Sequence, residues 1–321
     1  MPGDSPSLTI LLNDPDADVY ARLIAKRFPH VRAIEAANRR SLEENIGQAD
    51  ALLASRISPE LLCQAKNLRW IQSAAAGVES MLPIRDQLIG RIVVTNVRGL
   101  HGEGIADFVM GGVTMLHWDF MRFLREQSER KWIPRPVAPL AEKTLGVVGL
   151  GSIGTTIARR AKGAGMTVFG LKRDTSVPID VVDRLFSLDA LHNLLPLCDF
   201  VVLALPATPD TTGLIGAPEI ARMRSDAFLI NIGRGNAVVE AELIKALQTN
   251  AIAGAMLDVF EQEPLPHNSP LWDLPNVIVT PHVSGTQPNY TDRVFPILAD
   301  NIERLLSGQA LKNVIDLQRG Y

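Results

Sequence analysis

Thr144-Leu-Gly-Val-Val-Gly149-Leu-Gly151-Ser152-Ile153-Gly154 is a short apolar run that breaks into glycines spaced G-x-G-x-x-G. Gly149 permits the tight turn, Gly151 lets a backbone approach a pyrophosphate, and Gly154 permits close packing of helix on strand. A helix starting at Ser152–Ile153 would aim the positive end of its dipole at the phosphates. The glycine spacing alone is an ordinary turn. A strand at Thr144–Gly149, a helix at Ile153–Lys162 and a second strand at Thr167–Leu171 turn it into the βαβ unit of a dinucleotide site.

The end of that second strand should choose the cofactor. A carboxylate there suits the ribose 2′-hydroxyl of NAD, and cations suit the 2′-phosphate of NADP. The chain reads Gly170-Leu171-Lys172-Arg173-Asp174. The apolar run stops at Leu171, so Lys172 and Arg173 lie nearer the strand end and favour NADP. Asp174, twenty residues after Gly154, keeps an NAD site open.

Outward from this unit, short apolar runs alternate with amphipathic stretches, the pattern of parallel α/β structure. Upstream strands are expected at Leu8–Leu12, Ala51–Ser55, Trp70–Ser73 and Ile92–Val97, with helices at Val19–Phe28 and Pro59–Gln64. A long helical stretch from His101 to Arg130 is expected to break at Gly111–Gly112, and Pro134–Pro139 reads as a linker. Downstream strands are expected at Phe200–Leu205, Phe228–Asn231, Gly254–Val259 and Val277–Thr280. Helices are expected at Ser187–Leu194, Ala241–Gln248 and Arg293–Leu306, the last ended by Gly308.

Composition narrows the class. At 321 residues, one large domain or two ordinary ones are expected. Thirty-two basic against 35 acidic residues argue against a nucleic-acid or polybasic membrane surface. Two cysteines, Cys63 and Cys198, are too few for a disulfide framework or a metal cluster, and fit a reducing compartment. No apolar run approaches the roughly 18 residues that span a bilayer. The start, MPGDSPSLTI, lacks the basic and apolar regions of a secretion signal. A cytoplasmic protein without metal is the expectation.

Three motifs each follow an expected strand: Phe228-Leu-Ile-Asn231-Ile232-Gly-Arg234-Gly235, Gly254-Ala-Met-Leu-Asp258-Val-Phe-Glu261-Gln-Glu263-Pro264, and Val277-Ile-Val-Thr-Pro281-His282-Val-Ser-Gly285. Residues just past the carboxyl ends of parallel strands face the ligand crevice. Arginine's planar fork holds a carboxylate by two parallel hydrogen bonds. A histidine supplies the proton that accompanies hydride transfer, and a neighbouring carboxylate favours its protonated form. Of six histidines, His30, His117, His192 and His267 lack such a setting, while His101, after Arg98-Gly99-Leu100, stands as a pocket-rim candidate.

With these residues in place the chain resembles a D-isomer-specific 2-hydroxyacid dehydrogenase, close to the glyoxylate/hydroxypyruvate reductase branch. Gly149–Gly154, Asn231–Gly235, Leu257–Pro264 and Thr280–Gly285 are similar to the family signatures in order and spacing, and the likeness runs over almost the whole chain. Leu205-Pro206-Ala-Thr-Pro-Asp-Thr211 resembles the family's cofactor-side loop, and Arg69-Trp-Ile-Gln-Ser73-Ala-Ala-Ala76-Gly77-Val78-Glu79 resembles the loop whose backbone N–H groups receive a substrate carboxylate. Ala75, Glu79 and Asp107 depart from the usual glycine, aspartate and glutamate.

The resemblance implies two Rossmann-like domains with doubly wound parallel sheets. Residues 1–100 and 285–321 would form a substrate domain built from both chain ends, and 101–284 the dinucleotide domain. It implies a catalytic set of Arg234, Glu263 and His282, with Glu261 as the nearby alternative to Glu263. Cofactor contacts are implied for Gly149, Gly151, Ser152, Ile153, Gly154, Lys172, Arg173, Pro206, Thr211, Ile232, Arg234 and Asp258. Substrate contacts are implied for Ala76, Gly77, Val78, Arg234 and His282. The implied reaction is reduction of a small 2-oxo acid to the D-2-hydroxy acid with NADPH, NAD remaining possible. A homodimer through the 101–130 arm is also implied. Rival readings are a dinucleotide-sensing corepressor-like regulator, a 3-phosphoglycerate dehydrogenase and a formate dehydrogenase.

Overall fold

In the computed structural model, which describes residues 8–36 and 38–321, two all-parallel sheets carry the chain. The reading of the first seven residues as lacking a leader therefore lies outside the described residues. One compact unit is formed by the described part of Met1–Leu100 with Gln287–Tyr321, and a second by His101–Thr286.

The first unit contains β1 (Leu8–Asn13), β2 (Val31–Glu35), β3 (Ala51–Ala54), β4 (Trp70–Gln72) and β5 (Val93–Thr95), in the order β2-β1-β3-β4-β5. Alternate side chains fill two cores, as a sheet covered on both faces requires. Leu11, Leu52, Ile71 and Val94 enter one core, and Ile10, Leu12, Leu53 and Trp70 the other. The helix Tyr290–Leu306 packs Val294, Leu298 and Ile302 into the second. A buried polar chain fixes it there. Asn301 Nδ2 donates to Gln72 Oε1 at 3.1 Å and to the Lys312 carbonyl at 3.2 Å, and Asn301 Oδ1 accepts from the Lys312 N–H at 2.8 Å. Thr95 Oγ1 donates to the same Gln72 oxygen while accepting from Trp70 Nε1, each at 2.8 Å.

The second unit contains β6 (Thr144–Val148), β7 (Thr167–Leu171), β8 (Arg184–Phe186), β9 (Phe200–Leu203), β10 (Phe228–Asn231), β11 (Gly254–Leu257) and β12 (Val277–Val279). Their order is β12-β11-β10-β9-β6-β7-β8, so the chain winds outward in both directions from β6. The switch point between β6 and β9 is where such sheets bind ligands. Leu145, Val147, Phe200 and Val202 face one core, and Val148, Val201 and Leu203 the other.

The arm differs from expectation. It does not break at Gly111–Gly112 but runs as one helix from Gly102 to Trp118, turns at Asp119 (φ 52°), and restarts as Phe120–Ser128. Gly112 serves packing instead: a Cβ there would lie 2.0 Å from the Met256 sulfur of β11. Val109 and Leu116 are buried in the unit's own core, whereas Trp118, Phe120 and Leu124 stay exposed.

Candidate active site

The glycine turn sits at the carboxyl end of β6. Gly149 has φ 101°, and a Cβ there would lie 2.6 Å from the Ala204 carbonyl, so no other residue fits without strain. Gly154, in the first turn of the helix Ser152–Gly163, lets that helix close on the turn: a Cβ would fall 2.0 Å from the Gly149 carbonyl oxygen. A Cβ on Gly151 would meet no atom within 4 Å. The space over Gly151 is thus open while both flanking glycines are shut in, and the N–H groups of Ser152, Ile153 and Gly154 belong to a helix start with no side-chain cap. This cradle fits a dinucleotide pyrophosphate.

Loops from the neighbouring strands flank it. β7 ends at Leu171, so Lys172 and Arg173 are the first two residues beyond it; Lys172 is half-buried and Arg173 exposed. Arg173 Nη2 donates to Asp210 Oδ2 at 2.7 Å. Asp174 turns onto its own loop, where Oδ1 accepts from the Ser176 N–H at 2.9 Å and from its hydroxyl at 2.5 Å. After β9, the loop from Pro206 is tied by Thr211, whose hydroxyl donates to the Pro206 carbonyl at 2.7 Å and accepts from the Thr208 N–H at 2.9 Å.

Arginine, glutamate and histidine come from three adjacent strand ends. Past β10, Asn231 staples the turn: its Nδ2 donates to the Arg234 carbonyl at 3.0 Å and its Oδ1 accepts from the Gly233 N–H at 3.1 Å. Ile232 is buried beside it, and Arg234 is half-buried with Nη1 donating to the Gly233 carbonyl at 2.8 Å. Gly235 lies so close to Phe260 that a Cβ would stand 1.9 Å from its carbonyl, which locks this turn against the next loop.

Past β11, Asp258 is fully buried. Its Oδ1 accepts from the Thr280 hydroxyl at 2.7 Å and the Val283 N–H at 2.9 Å, and its Oδ2 accepts from the Ser284 N–H at 3.0 Å. Its carbonyl accepts from the His282 N–H at 2.8 Å. One aspartate therefore fixes the whole 280–284 loop. That grip holds His282 at φ 50°, a left-handed conformation which a side chain adopts at some cost and which clusters at functional sites.

Glu263, whose peptide bond to Pro264 is cis, spans the gap between the loops. Oε1 accepts from the Phe260 N–H at 3.0 Å, and Oε2 lies 2.7 Å from His282 Nδ1. Glu261 instead accepts from the Glu240 N–H at 3.0 Å through Oε1, at the start of the helix Glu240–Gln248. Of the two glutamates, Glu263 is the one beside the histidine. A carboxylate on Nδ1 fixes that nitrogen as the donor and leaves Nε2 as the face that exchanges a proton. The His282 side chain is 49% exposed, so that face is reachable by a substrate.

His101, 8% exposed, precedes the helix Gly102–Trp118; burial lowers its pKa, and a Cβ on Gly285 would lie 3.5 Å from its ring. It packs behind the histidine loop. His117 and His192 are engaged by the Ala138 carbonyl at 2.7 Å and by Glu219 at 2.8 Å. In the first unit, Asn96 Nδ2 donates to the Ala76 carbonyl at 2.6 Å, and the Val78 side chain is buried in the core. The N–H groups of Ala76, Gly77 and Val78 donate to no acceptor among the described residues. Sequence reasoning missed Asn231 and Asp210 as site residues. The signal for Asn231 was a polar residue closing an apolar strand before two glycines. Among the described residues, no group of His, Cys, Asp and Glu could hold a metal ion, and no helix is long and apolar enough to cross a membrane.

Residues 110–284 match the family model for the D-isomer specific 2-hydroxyacid dehydrogenase NAD binding domain. The chain is 34% identical to a glyoxylate reductase of Korarchaeum cryptofilum over 85% of this chain and 84% of that one. It is 29% identical to a D-3-phosphoglycerate dehydrogenase of Methanocaldococcus jannaschii over 96% of this chain, but spans only 59% of that relative's length. An NADPH-dependent glyoxylate/hydroxypyruvate reductase from Sinorhizobium meliloti, solved with NADP and sulfate, superposes with a TM-score of 0.86 at 27% identity, covering 98% of this chain and 100% of that one.

Proposed function

The chain belongs to the D-isomer-specific 2-hydroxyacid dehydrogenases, an NAD(P)-dependent family, and we propose that it reduces a small 2-oxo acid of the glyoxylate or hydroxypyruvate type to the D-2-hydroxy acid with NADPH. The observation that carries the reading is the 2.7 Å pair of Glu263 with His282, on the loops after β11 and β12, beside β10 and its Arg234 turn at the ligand-binding end of the sheet. When bound, the reduced nicotinamide supplies the hydride that reaches the carbonyl carbon.

Arg234 binds the substrate carboxylate through its fork and orients the carbonyl. His282 Nε2 delivers a proton to the carbonyl oxygen as negative charge develops there. Glu263, accepting from Nδ1, holds the ring in the one orientation that presents Nε2. Asp258, which resemblance puts against the nicotinamide carboxamide, is fully buried, and its carboxylate holds the histidine loop that would flank the nicotinamide. Gly149, Gly151, Ser152, Ile153 and Gly154 receive the pyrophosphate, Lys172 and Arg173 the 2′-phosphate, and Pro206, Thr211 and Ile232 line the cofactor. The substrate role of Ala76, Gly77 and Val78, implied by resemblance, belongs to the same proposal and is supported by their uncommitted N–H groups.

A homodimer through the 101–130 arm is part of the reading. Within the arm Trp118, Phe120 and Leu124 are 39–59% exposed, and Trp132 and Ile133 just beyond it are 94% and 45% exposed, apolar side chains that a second copy would cover. A cytoplasmic location fits two free cysteines, one of them exposed.

The deciding experiment follows loss of reduced-nicotinamide absorbance with NADPH or NADH against glyoxylate, hydroxypyruvate, pyruvate and phenylpyruvate, each offered separately. NADPH-dependent turnover of glyoxylate and hydroxypyruvate is expected. Turnover with NADH alone would return the selector role to Asp174, and cofactor binding without turnover of any acid would overturn the enzymatic reading.

A further inference from the structure

The Arg173–Asp210 ion pair joins two loops that flank the glycine turn from opposite sides. β7 and β9 are the immediate neighbours of β6 in the sheet. Arg173 lies two residues past β7, and Asp210 lies in the loop after β9, with Nη2 and Oδ2 2.7 Å apart. Asp210 is not on a loose loop. The turn around it is closed by N–H bonds from Thr211 and Thr212 to the Thr208 carbonyl, both 3.1 Å, and by the Thr212 hydroxyl to the same carbonyl at 2.9 Å. The Gly213 N–H anchors its far end on the Asn236 carbonyl at 2.7 Å. A fixed carboxylate thus meets the second of the two cations that follow β7. Both partners stay hydrated, with side chains 43% and 69% exposed, so the pair is weak enough to open when a better anion arrives.

We propose that Asp210 is a specificity-determining residue for the cofactor: its carboxylate competes with the 2′-phosphate of NADP for the Arg173 guanidinium and so sets how far the site prefers NADP over NAD. This rests on the reading of Lys172 and Arg173 as the 2′-phosphate site. A phosphate monoester carries about −1.5 to −2 charges at neutral pH against −1 for the aspartate, so it wins the guanidinium, but at the expense of the existing pair. Once displaced, Asp210 stands as a like charge beside the phosphate. NAD, with only a hydroxyl at that position, neither gains from Arg173 nor disturbs Asp210. The carboxylate therefore weakens NADP binding selectively, a repulsive element of the kind that shapes specificity.

The test is calorimetric titration of the full chain with NADPH, NADH, 2′,5′-ADP and 5′-AMP, none of which requires turnover. Asp210→Asn keeps the shape and removes the charge. It should tighten NADPH and 2′,5′-ADP about two- to fivefold, the range of an exposed ion pair, and leave NADH and 5′-AMP unchanged. Unchanged or weaker NADPH binding, or equal tightening of both cofactors, would overturn the proposal. Arg173→Ala separates the two readings. If it leaves the NADPH-to-NADH ratio untouched, the phosphate-site reading itself fails. If it lowers that ratio while Asp210→Asn does not raise it, only the role of Asp210 fails. In the Arg173→Ala background the gain from Asp210→Asn should shrink; a gain that persists in full would mean direct repulsion and overturn the competition.

Discussion

In the proposed reaction His282 carries the proton transfer, and its setting makes its loss separable from misfolding. Its backbone is held by Asp258 rather than by its own ring. His282→Ala should therefore lower turnover by about 10²–10⁴, the usual effect of removing a positioned acid, while NADPH affinity by titration stays within about twofold. Near-normal turnover would remove the histidine from the mechanism. Arg234→Lys should raise KM for the oxo acid far more than it lowers kcat, since an ammonium is a point charge without the two-pronged contact. Steady-state kinetics on glyoxylate would show it, and an unchanged KM would place the carboxylate anchor elsewhere.

At the scale of elements, a few polar contacts tie helices to strands. Asp183 accepts from Lys162 Nζ at 2.8 Å and from the Val168 N–H at 2.8 Å, binding the helix Ser152–Gly163 to β7. The Lys162 ammonium first, and the Val168 N–H with it, hold the Asp183 carboxyl below the usual carboxylate range. A lowered value means that this stabilisation is in place above the ordinary carboxylate pKa and is lost as pH falls through the depressed one. With both partners about two-fifths exposed, Asp183→Asn should cost no more than about 1 kcal/mol at pH 7, and thermal unfolding of variant and wild type should converge only as pH falls below the ordinary carboxylate range, through the depressed Asp183 value. In the first unit, Asn301→Ala should cost about 1–3 kcal/mol in urea unfolding, because it removes the partners of the Lys312 N–H and of the buried Gln72 side chain. The strand edges explain what the sequence concealed at this scale. β2 and β8 are outermost in their sheets, and their segments Val-Arg-Ala-Ile-Glu and Arg-Leu-Phe mix polar with apolar residues. An edge strand need not be apolar on every residue, so no continuous run marked them. The break expected at Gly111–Gly112 failed for a related reason: glycine there answers to Met256, a neighbour distant in sequence.

For the whole molecule, the exposed Trp118, Phe120, Leu124, Trp132 and Ile133 predict a dimer. Sedimentation of the wild type should give twice the chain mass, and Phe120→Glu with Leu124→Glu should give monomers; a monomeric wild type would end that part of the reading. What the sequence by itself determined was local chemistry and its order along the chain. The glycine turn, the Lys172–Arg173 pair at a strand end, and the motifs holding Arg234, Glu263 and His282 are each written within a dozen residues, where backbone sterics and strand periodicity operate. Only the tertiary structure decided which of Glu261 and Glu263 meets His282, that Asp258 holds the histidine loop, and that Asp210 closes on Arg173 from 37 residues away. Those pairings follow from strand order: parallel strands bring distant loops to one end of a sheet, and no spacing along a single chain states which loops become neighbours.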